Sequence, residues 1–208
     1  MLERITRRER SDLLIAWLAI SIAFSLIFIR GGVTADLFVI FLLISMFTVG
    51  IGFILHEMAH KFTAMKFGFW AEFRKDNLML LVAVAMAALV GVVFAAPGAT
   101  VIYGNYISRE QNGKISAAGP AVNLLLCIPF ALLLIASGII SVPLLSRNLL
   151  SLVGMVGLQV NAMLAAFNML PVSVLDGKKV LAWNPAVFAV LIVAAFGILF
   201  VSFYPSLF

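Results

Sequence analysis

Six stretches without a single Asp, Glu, Lys or Arg, at residues 13–29, 37–55, 78–103, 115–146, 148–175 and 181–208, take up most of this 208-residue chain. A membrane span needs about 20 apolar residues, and hydrocarbon offers no partner for a bare N–H or C=O, so segments of this kind fold as helices in a bilayer. A mean hydropathy of +1.17 with only 11% charged residues excludes an ordinary globular domain. The expected fold is an all-α polytopic membrane protein, with about six apolar helices and a short membrane-associated β-strand or hairpin. Too little chain lies between the segments for a second module, which makes residues 1–208 a single domain.

The remaining composition narrows the partners. Net charge is +5, but the Lys and Arg residues sit at the ends of apolar segments, where they anchor helices and set orientation. Nucleic acid is therefore not expected, and the lipid bilayer is. Cys127 is the only cysteine and lies mid-segment, so it can form neither an internal disulfide nor a Cys-rich zinc cage. Arg4, Arg7, Arg8 and Arg10 resemble the start of a secretory signal. The apolar run that follows is long for one, and Val33-Thr34-Ala35 is a poor cleavage site, which leaves residues 12–29 as a retained first span.

Both histidines of the chain lie in one short run, His56-Glu57-Met58-Ala59-His60, at the end of the second apolar stretch. Residues four apart share a helix face, so the two imidazoles can hold one zinc ion, with Glu57 close enough to act as general base on water. Zinc lowers the pKa of such a water to about 7, which makes it usable near neutrality. Two histidines can also fall four apart by chance. Here they border hydrocarbon, where ionisable groups are costly and usually functional, and that favours the metal.

Basic residues constrain the topology. Residues 12–29 and about 36–66 read as the first two spans. If residues 78–108 enter and return on one side, twelve of the fourteen basic residues face the cytoplasm and two face outward; if they cross, the split is nine to five. The first arrangement fits the positive-inside rule far better and places the N-terminus and the histidine motif on the cytoplasmic side of a multi-pass protein of the cell membrane. Pro97-Gly98 ends any helix, and Thr100-Val101-Ile102-Tyr103 is β-branched and aromatic, so residues 99–103 read as a strand. Backbone of that kind at membrane depth must be covered by protein or line a water-filled cavity. The later spans are about 115–138, 148–170 and 185–204.

A catalytic zinc site usually has three protein ligands, so a third must come from elsewhere. Glu72, Asp76, Glu110, Asp176 and the acidic residues near the N-terminus are the available groups. Asp176 leads among them, because the re-entrant topology brings it to the side of His56. Glu72 or Glu110 would serve a different membrane metallopeptidase, though neither follows a second apolar helix after the motif.

Three motifs in order, His56-Glu57-x-x-His60, Gly119-Pro120-x-x-Asn123 and Asn168-x-x-Pro171-x-x-x-Leu175-Asp176-Gly177, resemble those of the site-2 protease family, the intramembrane zinc metalloproteases. The resemblance covers about residues 36–180. It implies one zinc per chain held by His56, His60 and Asp176, Glu57 as catalytic base, and transmembrane protein substrates cut near the cytosolic boundary. Asn123 and Asn168 match the family's asparagines, which implies contact with the substrate backbone or the developing oxyanion; interhelical hydrogen bonding is the plainer role. The strand at 99–103, with Val101 and Ile102 at its centre, could pair with an unwound substrate. A transporter or a non-proteolytic metal-binding membrane protein is the rival reading. It leaves Glu57 without a task and lacks the paired half-repeats of transporters. The sequence does not fix an oligomeric state.

Overall fold

The computed structural model describes residues 5–29, 35–91, 93, 98–104, 106–144 and 147–204. Two long helices come first, α1 (Arg7–Ile29) and α2 (Ala35–Lys66). They pack closely because Gly50 leaves room for an indole: a Cβ there would lie 1.8 Å from Trp17 Nε1, which donates to the Met46 carbonyl at 2.8 Å. A strand, β1 (Trp70–Lys75), follows, and then a shorter helix, α3 (Asn77–Leu89), whose first turn is capped by the Asp76 carboxylate. The returning strand β2 (Gly98–Tyr103) pairs antiparallel with β1, from Trp70 opposite Tyr103 to Lys75 opposite Gly98.

That register carries the chain out and back to one place. With 13 residues, α3 is about 20 Å long, short of the roughly 30 Å hydrocarbon thickness, so it does not span. The apolar stretch 78–96 is thus helical only to Leu89; Pro97 and residues 92 and 94–96 lie outside the described residues. No third strand joins β1 and β2 among the described residues, which leaves the outer edge of β2 without a strand partner.

The second half supplies three more long helices, α4 (Arg109–Ala136), α5 (Leu149–Asn168) and α7 (Pro185–Ser202). A minor two-residue pairing, β3 (Pro143–Leu144) with β4 (Arg147–Asn148), closes the α4–α5 turn. A short helix, α6 (Asp176–Trp183), precedes α7. Among the described residues five helices, α1, α2, α4, α5 and α7, are long and apolar enough to cross a membrane. Two begin earlier than hydropathy indicates: α4 starts at Arg109 because Ser108 and Gln111 form a reciprocal capping box, and α1 starts at Arg7 in a polar turn.

The main core joins α1, α2, β1, α3 and α5 through Phe24, Val49, Phe53, Phe73, Leu80 and Val160. Beside it lies a buried ion pair. Lys61 and Glu9 are both fully buried; the Lys61 ammonium donates to Glu9 Oε2 at 2.5 Å, and the Phe73 N–H donates to Oε1 at 3.0 Å. Lys61, counted with the basic residues at the cytoplasmic boundary, is therefore inside the protein, one residue beyond the histidine motif. Stranding either charge would cost about 3–5 kcal/mol, so the pair firmly ties α1 and β1 to the motif helix.

Candidate metal centre

On α2, His56 and His60 project from one face, with their Nε2 atoms 3.0 Å apart. Asp176 opens α6 and directs Oδ2 to within 3.5 Å of His56 Nε2 and 3.1 Å of His60 Nε2. All three residues are buried, and their ligand atoms lie within 4.8 Å of one another. Two crossings, α4 and α5, separate the histidines from the aspartate, so the three meet only because α3 leaves and returns at the same place.

The outer ring nitrogens decide what the inner ones can do. His60 Nδ1 faces the Ile115 carbonyl at 2.8 Å; a carbonyl only accepts, so Nδ1 carries the proton. His56 Nδ1 lies 2.5 Å from Asn123 Oδ1. The Asn123 amide is oriented unambiguously, because its Nδ2 donates to the Gly52 carbonyl at 3.1 Å and to Asn161 Oδ1 at 3.0 Å, and Asn161 Nδ2 in turn donates to the Gly157 carbonyl at 2.9 Å. In the neutral imidazoles both Nε2 atoms are then lone pairs, facing each other and a carboxylate. Such a trio requires positive charge at its centre, and two imidazole nitrogens plus one carboxylate form a donor set suited to catalytic zinc.

Glycines make the space. A Cβ on Gly119 would lie 2.4 Å from His60 Nε2 and 2.6 Å from His56 Nε2, so only glycine lets α4 approach the ligand atoms. A Cβ on Gly177 would lie 2.1 Å from the Met169 carbonyl oxygen, so glycine allows α6 to press on the end of α5 and hold Asp176 in place. Burial disfavours ionisation of Asp176, but positive charge on the neighbouring His60 and His56 rings outweighs it and holds the carboxyl well below the usual carboxylate range, and a metal ion held between neutral rings acts in the same direction. The group is thus an anionic ligand across the physiological range.

Glu57 lies outside the ligand trio and lines the same cavity, of about 600 Å³. Thr100 on β2 donates its hydroxyl to Glu57 Oε2 at 2.8 Å, so the strand holds the carboxylate. Ile102 and Asn168 also line the cavity, and Asn168 is anchored by a bond from its Nδ2 to the Leu164 carbonyl at 2.9 Å. Val101 is exposed on the alternate face of β2 and is not part of the cavity wall. Asn123 is fully buried behind His56 and hydrogen-bonded to His56, the Gly52 carbonyl and Asn161, which links α4 to α2 and α5. Glu72 pairs with Arg74, and Glu110 with Lys114 at 2.6 Å; neither faces the histidines.

Across 90% of its length this chain is 39% identical to a protein of Methanocaldococcus jannaschii named "putative zinc metalloprotease", of which the alignment also covers 90%. The chain belongs to a zinc metalloprotease family. No protein-family model matches the metalloprotease, and no solved structure matches it. Zinc is the cofactor of this metalloprotease, and among the described residues His56, His60 and Asp176 are the group able to hold it.

Thr100, Asn161 and Gly119 are the parts of this centre that sequence reasoning misses. Thr100 and Asn161 carry no motif. Gly119 stands in the second motif, but its approach to two imidazoles is a property of the assembled helices.

Proposed function

We propose that the chain is an intramembrane protease of the site-2 type, hydrolysing peptide bonds within or beside transmembrane segments of membrane proteins. The observation that carries this reading is a two-histidine, one-aspartate centre with an adjacent carboxylate, set in a cavity between apolar helices and bordered by a strand that, among the described residues, lacks a partner on one edge. Zinc, when bound by His56, His60 and Asp176, supplies the Lewis acidity that polarises the scissile carbonyl and acidifies water.

The protein's own residues do the rest. Glu57 takes the proton from the attacking water and returns it to the leaving amine, and Thr100 fixes the carboxylate rotamer so that Oε1 remains for this work. Asn123 holds His56 and the Ile115 carbonyl holds His60, which keeps both rings aimed at one point. A transmembrane helix hides its peptide groups, so a few residues must unwind. The outer edge of β2 would pair with that extended stretch, in the cavity that Ile102 and Asn168 also line, and would satisfy groups that lipid cannot. Basic residues of α1, β1, α4 and α6 favour a cytoplasmic mouth in the cell membrane.

Mapping the cut tests the reading. The purified chain in liposomes with a single-span substrate should release products whose new ends, read by mass spectrometry, lie inside the apolar segment near one boundary. Cuts confined to water-exposed loops, with soluble unfolded chains cleaved equally well, would contradict it.

A further inference from the structure

We propose that the cavity mouth selects transmembrane substrates flanked by acidic residues and rejects those flanked by Lys or Arg, an inference that rests on the intramembrane protease reading. Three cations, Arg109, Lys178 and Lys179, line the cavity beside the metal centre. The carboxylates that line it are Glu57 and Asp176, and both are committed to the chemistry. Glu110 is held by Lys114 and Glu72 by Arg74, and neither is part of the wall. Lys179 lies 3.8 Å from Asp176 Oδ1, whereas Arg109 and Lys178 have no carboxylate partner among the described residues and are exposed.

Arg109 opens α4 and the two lysines follow Asp176 on α6, so both helices bring positive charge to the wall of the cavity that β2 also borders. A positive mouth facing the cytoplasm has an unusual consequence. Most transmembrane segments carry Lys or Arg at their cytoplasmic ends, so the commonest membrane proteins are repelled and the exceptional acidic or neutral flank is admitted. Charges at such a rim set which partner enters more than how tightly it is held, and salt weakens them.

The test uses the full chain in liposomes with two single-span substrates, identical except for four Glu or four Lys beside the same end of the segment. The acidic-flanked substrate should be cleaved on the order of tenfold faster at low ionic strength. The difference should shrink at about 0.5 M salt, a readout that needs no mutant. The double variant Arg109→Glu, Lys178→Glu, with zinc content measured as the check on folding, should reverse the preference. Equal cleavage of the two substrates by the wild type at low salt would overturn the selectivity and leave the protease reading intact. A preference present with anionic phosphatidylglycerol and lost in zwitterionic vesicles would likewise overturn it, by assigning the cations to headgroups. Cleavage of neither substrate would overturn the protease reading itself.

Discussion

Glu57→Gln should lower cleavage of a transmembrane substrate by roughly 10²–10⁴-fold, the range a general base contributes, while zinc remains bound at the wild-type level. Glutamine keeps the shape and can still accept the Thr100 hydroxyl that Glu57 Oε2 accepts at 2.8 Å, so the packing of β2 against α2 is preserved. It cannot take a proton. The ligand atoms of His56, His60 and Asp176 are untouched, since they form the metal group without Glu57. Zinc content and single-turnover cleavage on the same preparation check both halves. Loss of zinc in the variant would make Glu57 a ligand, and cleavage close to the wild-type rate would remove it from the chemistry.

Gly119→Ala should cost more than its single methyl group suggests. The new carbon would lie 2.4 Å from His60 Nε2 and 2.6 Å from His56 Nε2, well inside contact distance, so either α4 retreats or the imidazoles turn out of line. Both responses separate the ligands, and zinc affinity should fall by at least about 100-fold, the upper end of what disturbing a ligand's support costs. Activity should fall with it. Gly197→Ala is the control, because a Cβ there meets nothing within 4 Å; it should bind zinc as the wild type does. Competition against a zinc-sensitive dye reads the affinities. Equal affinity in both variants would show that α4 does not form the floor of the site.

Legibility followed the cost of placing a group in hydrocarbon. The long helices could be read because backbone in lipid must be helical, and only their polar ends escaped: α1 and α4 begin in charged turns that hydropathy ignores. The β1 strand was hidden, since Trp70-Ala-Glu-Phe-Arg-Lys75 mixes charge with aromatic residues and its partner lies beyond a whole helix. The α6 helix was masked by Gly177, which serves a close approach to Met169. His56, His60 and Asp176 could be singled out because ionisable groups are scarce in such a chain. Thr100 and Asn161 could not, because a hydroxyl or amide in a membrane helix or a short strand has many ordinary uses, and only the assembled fold shows what each one touches. Lys61 taught the reverse lesson. Its place at a helix end suggested a boundary anchor, and its charge is spent on Glu9 in the interior.

Zinc at the His56, His60 and Asp176 centre is proposed to drive proteolysis of membrane segments. The most direct test is metal analysis of the purified chain coupled to cleavage of a single-span substrate in liposomes, before chelation, after chelation and after adding zinc back. The expected result is one zinc per chain, cleavage lost with the metal and restored with it, and neither zinc nor restored cleavage when Asp176 is replaced by alanine. Cleavage that persists in metal-free protein, or full zinc binding by Asp176→Ala, would contradict the account.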